Sequence, residues 1–325
     1  MKNNLKTRLA VMILITALTL FIFGSCSGGA AKDEKLSVVC TIFPIYDWCR
    51  EIAAGSESVK LTLLLDSGVD LHSYQPTADD IMQIAGADIF ICVGGESDFW
   101  VTNALAQSRN RDVKVIKLIE LLGDVALDEE LKEGMEHPSD EEEEPETDEH
   151  VWLSLKNARI FCREIAGALC EADPALCELY KSNSSDYTEK LDLLDAKYAE
   201  TVGGRGATLV FADRFPFRYL LNDYGIDYYA AFAGCSAESE ASFKTVIFLA
   251  GKVDSLGVGT ILLTESSDGK MASTVRDATS SKNQKLLVLD SLQRAGSEEI
   301  AKGVTYLSVM ESNLTILTEA IGGAG

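Results

Sequence analysis

Short apolar segments alternate with segments of helical periodicity along most of this chain. Residues 36–43, LSVVCTIF, are apolar and β-branched, and residues 45–54 have helical spacing that ends at Gly55. Further apolar segments of strand length follow at residues 59–65, 88–93 and 113–118. Short strands of the buried type, separated by helices, predict a mostly parallel sheet with helices on both faces.

One helix start is specified by its capping residues. Thr77 follows Pro76 and is a good N-cap, and Asp80 stands three residues later, where its side chain can complete a capping box. We therefore predict a helix over residues 78–85.

A second α/β series follows one long helical segment. Residues 155–170 have helical spacing, and Pro174 fits the first turn of a helix over residues 175–201, which is longer than the average helix. The predicted strands beyond it cover residues 208–211, 226–232, 260–264 and 286–289, and the predicted helices cover 216–223, 242–256, 273–279 and 298–321.

These patterns predict an α/β fold of two lobes, each a mostly parallel sheet flanked by helices, joined by one long rigid helix. The predicted N-terminal lobe covers residues 36–173 and contains an acidic loop at 128–149. The predicted linking helix covers residues 174–203, and the C-terminal lobe covers 204–325.

The first residues of the chain have the features of an export signal. Three basic residues precede an apolar segment at 9–23 that is too short to span a bilayer comfortably, and small residues then precede Cys26. We predict a signal peptide over residues 1–25, a lipid on Cys26 and a flexible tether over 26–35, which would anchor the domain to the cell membrane on its extracytoplasmic side. A signal peptide cleaved elsewhere, or an uncleaved anchor, is the alternative.

The chain is strongly acidic, with a net charge of −22. Removing residues 1–25 takes away three positive charges and no negative ones, which leaves −25. Nucleic acid is therefore excluded as a partner, because a polyanion needs a basic surface. Much of the charge lies in residues 128–149, where thirteen acids accompany one lysine. Such a segment cannot bury a core, so we predict a solvated loop, which either concentrates cations or has no role in binding.

The cysteines do not form a metal-binding pattern. Assigning Cys26 to lipid leaves seven cysteines, so at least one is unpaired, and no C-x-x-C sequence occurs. A thiolate metal site is therefore disfavoured, and most of these residues are expected to be small buried hydrophobic side chains. The seven are Cys40, Cys49, Cys92, Cys162, Cys170, Cys177 and Cys235.

Four polar side chains follow predicted strands or loops at the same topological place. His72 follows the second strand, His150 ends the acidic loop, Asp213 follows TLVFA and Asp290 follows LLVL. Because ligands bind beyond the carboxyl ends of parallel strands, these residues can converge in a cleft between the lobes. Two imidazoles and two carboxylates make a plausible four-coordinate site for a divalent metal.

Each candidate ligand also has a simpler interpretation. A lone histidine is often a satisfied or solvent-facing residue, and Asp213 or Asp290 taken alone can be a helix N-cap or a turn residue. Glu265, which follows the predicted strand 260–264, competes as the fourth ligand or orients an imidazole as a hydrogen-bond acceptor.

Four segments together resemble the zinc- and manganese-binding solute-binding lipoproteins of bacterial ABC importers, and the similarity covers essentially all of the mature chain. The resemblance implies two α/β lobes joined by a long rigid helix, with the metal held between them by three histidines and a carboxylate or by two of each. It implies that His72, His150 and Asp290 are ligands. It also implies that the acidic loop is the family's charged insert, with His137 as an auxiliary metal residue. The segments are GVDLHSYQPT, DEHVWLSLKN, FPFRYLLNDYGI and LVLDSL.

The sequence departs from this family at the third ligand. Counting back from Tyr219, the position that is usually histidine or glutamate holds Arg214, which cannot bind a cation. We therefore hypothesise that the loop ADRF is shifted by one residue and offers Asp213, with Arg214 turned away or paired with an acid.

The resemblance implies an extracytoplasmic component that captures zinc in the cleft and delivers it to an ABC permease and its ATPase subunit. Two imidazoles and the charged insert favour Zn²⁺, with Mn²⁺ as the alternative. A filled coordination shell leaves no position for a reactive water, so we do not expect an enzyme, and neither H-E-x-x-H nor G-x-S-x-G occurs. A secreted metallohydrolase with Glu265 as its base, or a surface adhesin, is the alternative. We expect the chain to act as a monomer.

Overall fold

The computed structural model describes residues 35–106, 110, 112–136, 146–234 and 241–322. The predicted signal peptide, Cys26, nearly all of the tether, His137 and Cys235 lie outside the described residues. Among the helices in the described ranges, none is both long enough and apolar enough to cross a lipid bilayer.

The first lobe is built on a four-stranded parallel sheet in the order β2-β1-β3-β4. Val38 in β1 lies opposite Ile89 in β3, and all four residues of β3 are buried, as expected for a central strand covered on both faces. The strands are β1 Leu36–Cys40, β2 Val59–Leu63, β3 Ile89–Cys92 and β4 Lys114–Lys117.

The described residues of the first lobe include four helices. The capping box predicted for the second is confirmed, because Asp80 N donates to Thr77 Oγ1 and Thr77 N donates to the Asp80 carboxylate. The third was not predicted, since its sequence FWVTNALA does not separate apolar from polar positions at helical spacing. The helices are α1 Phe43–Ile52, α2 Ala78–Ala85, α3 Phe99–Ala106 and α4 Leu118–Leu122.

Two helices follow the first sheet in the chain and precede the second, and they pack against each other. They are α5, Leu155–Ala172, and the longer α6, Cys177–Thr201. A disulfide between Cys170 and Cys177 joins the end of α5 to the start of α6. The four other described cysteines, Cys40, Cys49, Cys92 and Cys162, are free and buried, as expected for small apolar side chains.

The second lobe repeats the plan of the first, with four parallel strands in the order β6-β5-β7-β8. The two-lobed α/β fold predicted from the sequence is confirmed. Its strands are β5 Thr208–Phe215, β6 Asp227–Ala233, β7 Thr260–Thr264 and β8 Lys285–Leu289. Its helices are α7 Arg218–Tyr224, α8 Phe243–Leu256, α9 Lys270–Ala278, α10 Ser297–Ala301 and α11 Tyr306–Gly322.

The predicted single helix over residues 298–321 is wrong. The structure has α10 and α11 in its place, with Gly303 between them at φ +83°. That backbone conformation ends a helix and is readily adopted only by glycine. The helical spacing continues on both sides of the break, so periodicity alone did not show it.

Tyr306, at the start of α11, joins several parts of the core. Its backbone N–H donates to Asp47 Oδ2 over 2.7 Å, and its ring packs edge-on against Trp48 at a centroid distance of 5.1 Å. Its hydroxyl donates to the backbone oxygen of Trp152 over 2.7 Å. Because Trp152 lies two residues after His150, this contact fixes the segment that carries the histidine.

We predict that Tyr306→Phe lowers the free energy of unfolding by about 1–3 kcal/mol, because it leaves a buried carbonyl without its donor. Tyr187→Phe is the matched control, since the Tyr187 ring is buried and its hydroxyl has no hydrogen-bond partner among the described residues. Urea denaturation followed by tryptophan fluorescence measures both. Equal effects of the two substitutions would contradict the role given to the Tyr306 hydroxyl.

Candidate metal-binding site

Two imidazoles from distant parts of the first lobe meet at a tilt, with 55° between their ring planes. His72 lies in a short 3₁₀ turn, Leu71–Ser73, that follows β2, and His150 immediately precedes another, Val151–Leu153. Their Nε2 atoms are 3.3 Å apart, and their ring centroids are 5.3 Å apart. His150 is fully buried.

The same kind of turn, stabilised by an aspartate side chain, positions both histidines. Asp70 Oδ1 accepts a hydrogen bond from His72 N over 3.0 Å, and Asp148 Oδ1 accepts one from His150 N over 2.8 Å. An aspartate two residues before the histidine thus forms a side-chain-to-backbone turn in each case. The shared pattern D-x-H is visible in the sequence and could have identified these two supporting residues.

Hydrogen bonds on the far side of each ring assign its protons. His150 Nδ1 lies 3.0 Å from Asp148 Oδ1, and His72 Nδ1 lies 2.7 Å from Ser97 Oγ. Glu149 Oε2 lies 3.6 Å from His72 Nδ1, and this negative charge favours hydrogen on Nδ1, which then donates to Ser97 Oγ. Both Nδ1 atoms therefore carry hydrogen, and in the neutral rings both Nε2 lone pairs point at the same small region.

The spacing of the two nitrogens fits chelation of one ion. Zinc binds histidine nitrogen at about 2.0–2.1 Å, and at a tetrahedral angle two such bonds place the nitrogens about 3.3–3.4 Å apart. The 3.3 Å between the Nε2 atoms of His72 and His150 matches that value. Two uncharged nitrogens with facing lone pairs would otherwise repel each other, so a cation or a proton is needed between them.

Burial and neighbouring charges favour one added proton on the histidine pair, on His150 and not on His72. Burial lowers the pKa of His72 to about 4, and positive charge on His150 and Arg214 acts in the same direction. Burial would also lower the pKa of His150, but the Asp148 carboxylate outweighs it through charge and a hydrogen bond, so that the pKa is raised. A metal ion binding here therefore displaces a proton from His150.

Two glycines allow the backbone to approach these groups closely. A Cβ atom on Gly95 would lie 2.1 Å from Glu149 Oε1, and one on Gly234 would lie 2.9 Å from Cε1 of His150. Both distances are shorter than any van der Waals contact, so larger residues would displace the carboxylate and the imidazole.

Asp213 lies on β5 where the pairing with β6 shifts in register, between Phe211 and Arg214. Its Oδ2 accepts from Thr264 N over 3.0 Å and from Thr264 Oγ1 over 2.9 Å. Its Oδ1 accepts from the backbone N–H of Arg214 over 2.8 Å. These bonds direct the carboxylate towards β7.

Arg214, at the family's third ligand position, pairs with an acid. Its guanidinium lies 3.4 Å from Asp70 Oδ2. Asp70 is the residue that caps the turn carrying His72. The arginine therefore contacts the site through the support of one histidine, and it places a positive charge beside the imidazoles.

Asp290 and Glu265 lie close to each other at the ends of β8 and β7. Both Glu265 oxygens accept from Ser291, over 2.9 Å from its N–H and 2.7 Å from its hydroxyl, and Asp290 Oδ1 accepts from Leu292 N over 2.7 Å. Burial, with the charge of Asp290 second, raises the pKa of Glu265 to about 7, and burial also raises that of Asp290. The two carboxylates line a cavity of about 540 Å³ between the lobes, together with Asp66.

The structure thus brings together two of the four proposed ligands. Within the described ranges, no three histidine, cysteine, aspartate or glutamate side chains are close enough to hold one metal ion. His72 and His150 share one region, Glu265 and Asp290 share another, and Asp213 binds Thr264. Sequence reasoning also missed a contact from the second lobe: the carboxamide of Gln293 lies between His150 and Asp70.

Comparisons with known proteins agree with this architecture. Residues 38–320 match the family model described as "Zinc-uptake complex component A periplasmic". The chain is 29% identical over 317 residues to the zinc-binding lipoprotein AdcA of Streptococcus pneumoniae, covering 97% of this chain but only 62% of that relative. It is 30% identical to the high-affinity zinc uptake system protein ZnuA of Bacillus subtilis, with 91% of each chain covered.

A solved structure of a relative has a similar fold. The Zn(II)-bound ZnuA-like domain of Streptococcus pneumoniae AdcA is similar with a TM-score of 0.70 and 29% identity, over 88% of this chain and 99% of that domain. The match to the family model extends over both lobes. The chain therefore belongs to the zinc-uptake complex component A family of periplasmic proteins.

Proposed function

We propose that this chain is the extracytoplasmic metal-binding component of an ABC transporter, which captures zinc in the cleft and delivers it to a membrane permease with its ATPase subunit. The observation that carries the proposal is the pair of Nε2 atoms 3.3 Å apart, each on a ring whose other nitrogen is held by an acceptor. The relatives named for zinc uptake and zinc binding support it.

The proposed ligands are His72 and His150 from the first lobe and carboxylates from the second. Asp290 is the first of these, and Asp213 or Glu265 completes the set. A long helix between the lobes allows only small rigid movements, so loading is expected to change the loops more than the lobes.

Zinc is the proposed cargo because two neutral imidazoles suit it, and manganese is the alternative because carboxylates suit harder ions. We further propose that the chain acts as a monomer, held at the membrane by a lipid on Cys26. A solute carrier needs no open coordination position for water, so the proposal includes no catalytic step.

Substitution of the histidines tests the ligand set. We predict that His72→Ala and His150→Ala each weaken zinc binding by more than about 100-fold, which exceeds the effect of losing a supporting residue. Asp290→Asn is expected to weaken it by roughly 10-fold. Competition with a chromophoric chelator measures the affinities, and Asp254→Ala, on the far end of α8, is the control. Binding that survives both histidine substitutions would overturn the site.

Asp213→Ala tests the hypothesis of a shifted loop. If Asp213 is a ligand, its removal must weaken zinc binding about as much as the removal of Asp290. Unchanged affinity in Asp213→Ala, beside lost binding in His72→Ala, would remove Asp213 from the ligand set. Thermal unfolding should accompany the measurement, because Asp213 also ties β5 to Thr264.

Zinc affinity should depend on pH through the histidine pair. Because the pKa of His150 is raised above its usual value of about 6.5, the loss of zinc affinity should begin above that pH, and affinity should drop about 10-fold per pH unit below it, where zinc displaces one proton. If Glu265 is a ligand, zinc displaces a second proton below about pH 7, where this carboxyl is protonated, and below about 4 His72 adds another. Isothermal titration in several buffers measures proton release directly. Affinity independent of pH between 5 and 7 would contradict imidazole ligation.

The part of the acidic loop at residues 128–136 is hydrogen-bonded to the second lobe. Ala231 O accepts from Glu136 N over 2.8 Å, Glu136 Oε1 accepts from Ser242 N over 2.6 Å, and Asp128 O accepts from Arg218 Nε over 2.6 Å. Deleting residues 130–146 would therefore remove contacts as well as charge. Replacing the acids at 140–144 by their amides keeps the length and these contacts.

We propose that these acids concentrate cations near the cleft, and we predict that their replacement slows zinc association by roughly 10-fold at low ionic strength, with a smaller effect as salt rises. Stopped-flow measurement of zinc binding at several salt concentrations checks this. Equal rates at every salt concentration would favour a solvated loop with no role in transfer.

A further inference from the structure

Gln293 reaches the histidine pair from the second lobe. Its carboxamide lies between Asp70 and His150, with one end 3.0 Å from both Asp70 oxygens and the other 2.8 Å from His150 Nε2. A carboxylate only accepts hydrogen bonds, so the end that faces Asp70 must be the NH₂ group. The carboxamide oxygen therefore faces His150 Nε2, the nitrogen that also faces His72.

The loop that carries Gln293 is held in place on both sides of the residue. Leu292 is buried and has φ +63°, a conformation that is uncommon for any residue except glycine, and its N–H donates to Asp290 Oδ1. Ser291 O accepts from Trp152 Nε1 over 2.9 Å, which ties the loop to the segment that follows His150. Gln293 is therefore presented to the cleft by ordered backbone.

The chemistry around the carboxamide suits a metal ligand. Its NH₂ group is held by Asp70, whose carboxylate also pairs with Arg214, so the orientation of the amide is fixed. The 2.8 Å between this oxygen and His150 Nε2 is a hydrogen-bond distance, about 0.5 Å shorter than the separation of two neighbouring tetrahedral ligands, so an ion that replaces the proton needs a shift of about that size. Amide oxygen is a neutral donor that divalent ions accept.

We propose that Gln293, from the second lobe, supplies its carboxamide oxygen as a third ligand to the ion that His72 and His150 hold. The inference rests on the proposed function and adds to it a ligand that meets the histidines with the lobes placed as they are. It also gives Arg214 a role. The arginine stands at the family's third ligand position but binds Asp70, and Asp70 in turn orients Gln293, which supplies the third ligand instead. Asp290 keeps its proposed place, with Asp213 or Glu265 as the alternative to Gln293.

The test compares two substitutions on the same loop. Gln293→Leu removes the donor oxygen with little change in size. Arg294→Leu, at the next residue, removes a different contact between the lobes, from Arg294 Nε to Gly68 O over 3.3 Å. Zinc affinity is measured by chelator competition. The visible absorption of Co²⁺ bound in place of zinc reports the coordination shell directly.

Gln293→Leu is expected to weaken zinc binding by roughly 10-fold or more and to change the Co²⁺ spectrum, while Arg294→Leu leaves the spectrum as in the natural chain. An unchanged spectrum in Gln293→Leu would overturn the proposal, whether or not affinity falls, because it would reduce Gln293 to a contact between lobes. If the natural chain binds no zinc, the proposed function fails and this assignment fails with it. Zinc binding that is lost in His72→Ala but unaffected in Gln293→Leu would overturn the glutamine ligand alone.

Discussion

Two imidazole nitrogens that face each other across 3.3 Å are the feature on which the site depends. Each ring has its Nδ1 proton fixed by an acceptor, the Asp148 carboxylate for His150 and the Ser97 hydroxyl for His72. The rings therefore turn their lone pairs to the same point, where His150 is fully buried and His72 is half-buried. Such an arrangement is unfavourable when the point is empty and becomes favourable when a cation fills it, and this preference is the proposed basis of capture.

The rest of the fold holds these rings and brings the second lobe to them. Trp152 is the centre of that support, because its backbone oxygen accepts from Tyr306 and its indole N–H donates to Ser291, in the loop that also carries Gln293. A shift of α11 or of the loop after β8 would therefore also shift the segment that carries His150. The ion pair of Arg214 with Asp70 makes a second connection between the lobes, on the side of His72. A few residues thus connect the two rings to the second lobe.

Much of the fold could be predicted because its signals are local. The strands are short apolar segments, and the capping box at Thr77 depends on residues three apart, so both can be read from neighbours in the sequence. The break at Gly303 was missed because helical spacing continues across it, and α3 was missed because FWVTNALA lacks a polar face. The histidines stood out by their scarcity. Gln293 could not be found in this way, since its partners lie more than a hundred residues away and only tertiary packing brings them together.

Zinc K-edge X-ray absorption on the purified, zinc-loaded chain tests the central claim most directly. The fine structure distinguishes imidazole from other ligands by the scattering of the outer ring atoms. The account predicts two imidazoles at about 2.0–2.1 Å, with the remaining ligands oxygen. A shell with one imidazole or none would contradict it, because His72 and His150 would then not share the ion.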